Sequence, residues 1–375
     1  MANFKSLFGC LFACYLIPAL WGNAQAQDTF VDAKIAQQYL WTHLVQEYDK
    51  ETLDIEKSEQ AIDRISAHLD STQLSELETI QYRATRALSL YGVNLKRLLS
   101  NISVDITQAE LAIKDIDFVL HSGSYNVNKH LAYTGGHTAL HLLKYPDLAY
   151  KYWQQCAEDG HSGCMNIMAG NSFTGAHGLS VNIQESIKWH KKVYNTGTEY
   201  TCAGIYSANA LAKVTALFPQ INTSVTPYEW YQRRDTLQEA LSESYKDVES
   251  CVYPADLALS HVLLSKESAA TRLNYIEQAL KLAEVEQDAE LLKQVLLDIK
   301  HNKLSSNTLD TLSRIEDISV QCELAFSALI SAKYAQNHQL ALALENLVTS
   351  IDTSKCMVEH AFIRNLQSEG RWQTL

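Results

Sequence analysis

The sequence holds one group of residues whose type and spacing could bind a metal ion. His137 and His141 lie one helical turn apart, and His130 lies two turns earlier on nearly the same helical face. Imidazoles at this spacing can share one transition-metal ion. A zinc protease would also need a glutamate directly after His137 as its general base, but Thr138 stands there. The functional interpretation is therefore a plain metal site.

A simpler interpretation of this region involves no metal, and we favour it. Gly135 and Gly136 are typical of a helix start or break, and the histidines would then be surface or packing residues. The chain also lacks a nucleophile elbow, a phosphate-binding glycine loop and a Ser-x-x-Lys pair. We therefore expect neither a cofactor nor enzymatic activity.

Carboxylates occur in close pairs, for example Asp115 with Asp117 and Glu243 with Asp247. On exposed helical faces such pairs are normally solvated, and this is what we expect here. An enzyme or cofactor that acts on the cell wall or on a polysaccharide remains an alternative. It would require buried carboxylates with shifted pKa values that converge in a cleft.

The amino terminus has the pattern of a secretory signal peptide. Lys5 precedes an apolar run, Leu7–Trp21, and Asn23–Ala26 carries the small-x-small pattern of a cleavage site. We expect residues 1–26 to be removed and the mature chain to begin at Gln27, in the periplasm or outside the cell. A lipoprotein that begins at Cys14 is the less favoured alternative.

The net charge of the whole chain is −12, with 31 Lys and Arg against 43 Asp and Glu. Such a balance repels a phosphate backbone, so nucleic acid is not an expected partner. No later segment is long and apolar enough to span a bilayer, so the mature chain is expected to have no transmembrane segment.

Apolar residues recur with the helical period along nearly the whole chain, which predicts an all-α fold of about 16 to 18 helices. The clearest helix start is Thr226–Glu229, where Thr226 can cap the helix, Pro227 fits the first position and Glu229 can complete a capping box. Two further segments carry the same signal: Thr107–Glu110 and Asn182–Glu185.

One stretch of the chain repeats. The order of aromatic, small and glycine positions in Ala149–Gly160 returns in Ser186–Gly197, and a glycine-rich turn, Phe173–Gly178, lies between them. In this pattern and in its small residues at helix crossings, the segment 149–202 resembles the Sel1-like repeat family. The resemblance implies a right-handed solenoid of stacked antiparallel helix hairpins, similar to TPR proteins.

The predicted organisation extends this solenoid beyond the matching segment. It has four parts: the signal peptide (1–26), degenerate helical hairpins (27–125), the Sel1-like repeat region (126–217) and TPR-like hairpins (218–375). Stacked hairpins bury their apolar faces against neighbouring hairpins, so such an array folds without a linker between its parts.

The mature chain keeps six cysteines, an even number, which is typical of disulfides in an exported protein. By resemblance to the cysteine-rich branch of the Sel1-like family, Cys156 and Cys164 are expected to form a disulfide across the loop between two repeats. Cys322 and Cys356 are one TPR unit apart, about 34 residues, which would bring equivalent helices together. Cys202 and Cys251 then remain as a third pair, although the sequence leaves other pairings open.

The resemblance points to interaction rather than catalysis, because Sel1-like proteins mostly act as scaffolds. We therefore expect an adaptor of the cell envelope that binds a protein or peptide in a concave groove lined by the first helices of the hairpins. Tyr206 and Trp230 are the candidate partner-binding residues. Packing in the core is the competing interpretation of these aromatic residues.

Overall fold

The computed structural model describes residues 32–46, 53–71, 73–123, 125–196, 202–221, 224–244, 251–265 and 267–375. The expected signal peptide and the mature start at Gln27 lie outside these residues. The described residues form 17 helices and no strand, so the prediction of an all-α fold is confirmed. Within this part of the chain, every helix is too short or too polar to cross a lipid bilayer.

The described chain divides into two compact units, one that ends at Met168 and one that begins at Ala169. This boundary falls inside the segment 126–217, which is predicted from the sequence to form one repeat region. The helices of the N-terminal unit are α1 (Ala33–Leu40), α2 (Ile55–Ser71), α3 (Glu76–Leu99), α4 (Ile106–His121), α5 (Tyr125–His137) and α6 (Pro146–Glu158). Helix α7 (Ser162–Thr174) contains the boundary.

In the N-terminal unit each helix packs against the next one along the chain. Helices α5 and α6 approach each other closely, and two glycines of α5 permit it. A Cβ atom on Gly136 would lie 2.2 Å from Nε1 of Trp153, and one on Gly135 would lie 3.2 Å from the Tyr152 ring. The expectation that these glycines start or break a helix is therefore wrong. They lie within α5 and make room for the aromatic side chains of α6.

The C-terminal unit consists of helix pairs in which neighbours along the chain pack together. Its helices are α8 (Ile183–Asn195), α9 (Cys202–Leu217), α10 (Pro227–Ser244), α11 (Pro254–Leu263), α12 (Ala269–Leu282), α13 (Ala289–Lys300), α14 (Ser306–Ser313), α15 (Ile318–Tyr334), α16 (His338–Ser350) and α17 (Met357–Ser368). Helices α9, α11 and α15 are the first members of the pairs α9–α10, α11–α12 and α15–α16, and we call them the first helices. Each of them is buried over most of its length.

The last helix, α17, packs against α15 and against the end of α7. The ring of Phe362 in α17 lies 4.6 Å from that of Phe173 and 5.7 Å from that of Phe326, measured between centroids. The Asn365 amide donates a hydrogen bond of 3.1 Å to the carbonyl of Phe173. The first helices are thus in the core of the unit, and the expectation that they line an open concave groove is wrong for these three helices.

Three disulfides join the six cysteines of the described chain. They are Cys156–Cys164, Cys202–Cys251 and Cys322–Cys356, with Cα–Cα distances of 5.9, 5.5 and 5.8 Å. These separations are ordinary for disulfides. The pairing is the one expected from the sequence and the resemblance.

Local capping signals place helix starts with an error of at most two residues. At α10, the backbone N–H of Thr226 donates to the Glu229 carboxylate at 2.7 Å, and the N–H of Glu229 donates to Oγ1 of Thr226 at 3.2 Å. The predicted capping box is therefore present. At α4 the cap is Asp105 rather than Thr107, because the Asp105 carboxylate accepts from the N–H of Gln108.

The close approach of α5 and α6 gives a testable prediction. Gly136→Ala should destabilise the protein by about 1–3 kcal/mol or more, because Trp153 is buried and has no room to move away from a new methyl group. Gly170→Ala is the matched control. Gly170 is also helical but has open space at its Cβ position, so alanine there should stabilise by about 0.5–1 kcal/mol. Thermal unfolding of both variants measures the difference, and equal melting temperatures would contradict the packing described.

Candidate functional site

Ionisable side chains from five helices meet inside the C-terminal unit, and we call this group the ionic cluster. Its shortest ion pair joins Nζ of Lys213 to Oδ1 of Asp256 at 2.7 Å, and the two side chains are only 14% and 11% exposed. The members are Lys213 of α9, Arg234 of α10, Asp256 of α11, Glu323 of α15 and Glu359 of α17. A cluster of this kind inside a core must compensate its own charges.

Neutral side chains extend the ionic cluster between α9, α10 and α11. The amide of Asn209 donates to Asp256 at 2.7 Å, and its oxygen accepts from Nη1 of Arg234 at 3.1 Å. The same Nη1 donates to Oγ of Ser260 at 2.9 Å. Each bond joins different helices, so the network fixes their relative positions.

The members of the cluster differ in the direction of their pKa shifts. Burial opposes ionisation of Asp256, but Lys213 outweighs it with help from Asn209, and the pKa of Asp256 lies below its ordinary value. Burial raises the pKa of Glu323 well above its ordinary value, and the nearby Asp256 and Glu359 raise it further. Burial likewise raises the pKa of Glu359, against the attraction of Lys213. The cluster therefore combines an ionised carboxylate with carboxyl groups that retain protons to higher pH.

Carboxyl groups whose pKa values are pushed apart are the arrangement that general acid–base catalysis uses. The same arrangement also results when charges are buried for purely structural reasons. Here the Asp256 oxygen Oδ1 already accepts from both Lys213 and Asn209. This network ties helices together, and it leaves that oxygen no capacity for a substrate.

The ionic cluster is not among the sites predicted from the sequence, although the sequence carries a signal for it. Lys213, Asp256 and Glu323 are isolated charges in otherwise apolar stretches of α9, α11 and α15. A helix that is apolar on all sides is buried on all sides, so a single charge on it must find a buried partner. The sequence does not say which charge pairs with which, because the partners are far apart along the chain.

Asp115 and Asp117, which are expected from the sequence to be solvated, are buried and half-buried in the structure. Asp115 is fully buried and accepts hydrogen bonds from the guanidinium groups of Arg86, at 2.6 and 2.9 Å, and Arg83, at 2.9 Å. Asp117 is half-buried and accepts from the Tyr152 hydroxyl at 2.6 Å. Glu243 is exposed as expected, whereas Asp247 lies outside the described residues.

The three candidate metal-binding histidines do not form one group. The ring of His137 lies 5.4 Å from that of His141, whereas the ring of His130 lies 5.1 Å from that of His161. Tyr133 stands between the two pairs, with its ring 4.5 Å from His137 and 4.9 Å from His161. Burial lowers the pKa values of His137 and His161 to about 3, so both are neutral at neutral pH.

Two other groups bring three metal-ligand atoms within 4.8 Å of one another in the described chain. They are Cys156, His161 and Cys164, and Cys322, Cys356 and Glu359. Each contains both sulfur atoms of a disulfide. A metal ion needs a thiolate, which a disulfide does not provide. Neither group is a metal site in the oxidised protein.

The two candidate partner-binding residues are placed differently from each other. Trp230 is only 2% exposed and packs edge-on against Tyr194, with 5.3 Å between ring centroids. It therefore has no exposed face for a partner, and its proposed role as a binding anchor is wrong. Tyr206 is half-buried against the core, so its proposed role in binding stays a prediction.

Two open grooves run along α10. The α8/α10 groove has a volume of about 520 Å³, and its lining consists of Tyr194, Glu229, Gln232, Arg233, Thr236, Leu237 and Ala240. The α10/α12 groove has a volume of about 420 Å³, and its lining consists of Asp235, Gln238, Glu239, Ser242, Val252, Leu257, Gln278, Lys281 and Leu282. Both grooves mix buried or half-buried apolar side chains with charged ones, as protein–protein interfaces do.

The α8/α10 groove contains a preoriented arginine. The guanidinium of Arg233 lies 4.7 Å from the ring centroid of Trp230 and 5.5 Å from that of Tyr194. Such cation–π contacts stabilise the arginine in one orientation. Trp230 thus supports Arg233 from within the core.

No protein-family model matches the chain, and no characterised protein or solved structure is significantly similar to it. The class that the fold defines is an all-helical protein of neighbouring helix pairs with three disulfides.

The pKa shift of Glu323 predicts how stability depends on pH. Because the folded protein holds this proton to higher pH than the unfolded chain does, its contribution to stability falls as pH rises above the ordinary carboxyl value of about 4.3. Glu323→Gln replaces the protonated acid with a neutral group of the same shape. Between pH 5 and pH 8 the melting temperature of the variant should fall less than that of the wild type.

At pH 8 the variant should be the more stable protein by a few degrees, since about 1 kcal/mol shifts the melting temperature of a unit this size by about 2–4 °C. The control is Glu243→Gln at an exposed position, which should follow the wild type. A lower melting temperature for Glu323→Gln at pH 8 would show that the folded protein stabilises the ionised form of Glu323, which would contradict the raised pKa.

Proposed function

We propose that this protein is an exported scaffold that binds a peptide segment of another envelope protein along α10. The array of helix pairs supports the proposal, because arrays of this type offer long helical ridges as binding surfaces. We also propose that the array is a right-handed solenoid of the Sel1-like type. The single observation that carries the function is the pair of open grooves on either side of α10.

The composition of the α8/α10 groove favours a peptide over a small molecule. Its apolar contribution comes from Leu237 and Ala240, which are half-buried and lie one turn apart. Glu229 and Arg233 lie along the same side of α10, so the groove offers one acidic and one basic group in a row. A segment with apolar residues spaced along one side and charges of both signs would match it.

The burial of the first helices determines which surface is free for recognition. In α9, α11 and α15 most side chains pack into the core of the unit. The second helices keep a solvated face, and both grooves lie on them. Recognition is therefore assigned to the second helices, with Arg233 and Leu237 as central contacts and Trp230 as a buried support.

Export rests on cysteine chemistry and on the amino-terminal sequence. Three disulfides are typical of a protein that folds in an oxidising compartment. We expect amino-terminal sequencing of the protein recovered from the periplasm or the medium to start at Gln27. A chain that starts at Cys14 and carries a lipid would establish the lipoprotein alternative instead.

An acid–base enzyme of the cell wall or of a polysaccharide is the second candidate. The raised pKa of Glu323 beside the lowered pKa of Asp256 favours it. The hydrogen bonds that already occupy Asp256 favour the scaffold. Release of reducing ends from cell-wall glycan by the wild type, lost in Glu323→Gln, would support the enzyme.

Photo-crosslinking tests the scaffold directly. A benzophenone amino acid in place of Thr236, an exposed residue of the α8/α10 groove, should yield a discrete protein adduct in cells that export the protein. Arg233→Glu in the same chain should reduce the adduct, because it inverts the basic charge of the groove. The matched control places the crosslinker at Leu342 of α16, which is 61% exposed and lies outside both grooves. An equal adduct at Leu342, or insensitivity to Arg233→Glu, would rule out this groove.

A further inference from the structure

The chain changes from an α-helix to a π-helix between His137 and His141, which lie one helical turn apart. Helix α5 ends at His137 as an α-helix, and the chain continues as a π-helical segment, Thr138–Leu142. The N–H of Leu143 donates to the carbonyl of Thr138 at 3.1 Å, the five-residue spacing of that geometry. Single π-helical turns within helices occur often at functional sites. The wider turn sets His137 and His141 one above the other.

Within the described part of the chain, His137 has no hydrogen-bond partner although it is buried. Only 7% of the residue is exposed, and neither Nδ1 nor Nε2 makes a hydrogen bond to any residue that the structure describes. Buried polar groups are almost always satisfied, so an imidazole with two unpaired nitrogens requires an explanation. A neutral imidazole has one protonated nitrogen and one nitrogen with a free lone pair, which is the form that binds a metal ion.

His141 supplies the second imidazole at a suitable separation. The two ring centroids are 5.4 Å apart, and the ring planes are inclined by 13°. Two imidazoles that share one ion at metal–nitrogen distances of about 2.0–2.1 Å have centroids roughly 5 Å apart. The rings are nearly parallel, so one of them must turn about its Cβ–Cγ bond to direct a nitrogen at the shared ion. His141 is half-buried, which gives it room to turn and gives the ion a route from solvent.

We propose that His137 and His141 together bind one transition-metal ion of the copper, nickel and zinc group. Neutral imidazole is the preferred ligand of these ions, and among them Cu²⁺ binds a given nitrogen site most tightly. The protein supplies two ligands, and water completes the coordination shell. The proposal is independent of peptide binding, since it concerns the N-terminal unit and the grooves lie in the C-terminal unit.

The other histidines of this region are excluded as ligands by their positions. The ring of Tyr133 lies between His137 and His161, and His130 contacts His161 from the far side. In addition, Nδ1 of His161 accepts the backbone N–H of Cys164 at 3.3 Å. The structure therefore assigns a two-histidine site and removes His130 from the set of three that the sequence suggests.

Copper binding to the oxidised full-length protein tests the assignment. One equivalent of Cu²⁺ is added, and electron paramagnetic resonance and competition with free glycine measure its environment and affinity. The wild type should show nitrogen splitting from two imidazoles and a rise in melting temperature. His141→Ala should weaken binding at least about tenfold, which corresponds to about 1.4 kcal/mol. His137→Phe, which keeps a ring against Trp153, should do the same.

His130→Ala and His161→Ala should retain wild-type affinity, and so should His338→Ala, a variant of an exposed histidine on α16. Equal weak binding in all variants would identify an adventitious ion only and overturn the proposal. Loss of binding in His161→Ala with retention in His141→Ala would place the site on the other side of Tyr133, also against the proposal. Because His141 is half-buried, its variant tests the site even if His137→Phe does not fold.

Discussion

The Lys213–Asp256 ion pair, buried where α9 faces α11, is the interaction on which the C-terminal unit depends. The helices around it are apolar on nearly every side. Each of the two charges therefore depends on the other for most of its electrostatic stabilisation. Removal of one member of a buried pair leaves an uncompensated charge and typically costs about 3–5 kcal/mol. The protons retained by Glu323 and Glu359 follow from the same constraint. One lysine and one arginine do not balance every carboxylate that the helices bring into the core.

In the N-terminal unit, a buried carboxylate is neutralised by arginine rather than by lysine. Asp115 of α4 accepts a two-point hydrogen bond from Arg86 and a third bond from Arg83, both on α3. The planar guanidinium matches both carboxylate oxygens, so this pair fixes orientation as well as distance. Each unit therefore has a buried carboxylate held by a basic group on another helix. Such pairs contribute more to the register between helices than to net stability.

Burial of the first helices also determines where function can lie. In a solenoid the first helices would line a concave face, but α9, α11 and α15 are buried over most of their length, and Phe362 of α17 packs against Phe326 of α15. The exposed grooves lie on either side of α10, a second helix. Trp230 illustrates the shift. This candidate binding residue is part of the core, and its ring orients Arg233, which lines the groove.

The sequence by itself determined the helices and several of their caps, and together with the family resemblance it indicated the disulfide pairs, which the structure then fixed. These depend on local chemistry: the period of apolar residues, the Thr226–Glu229 box, and cysteines spaced by a loop or by one repeat. Only the tertiary structure decided which polar residues are buried, which aromatic residues face solvent and which histidines meet. From the sequence, Asp115 is expected at the surface, whereas in the structure it is buried against Arg86 of α3. From the sequence, His130 shares a helical face with His137, whereas in the structure Tyr133 contacts His137 on one side and His161, the neighbour of His130, on the other. The reason is that burial of a side chain depends on what packs against it, and that partner is usually distant in the sequence.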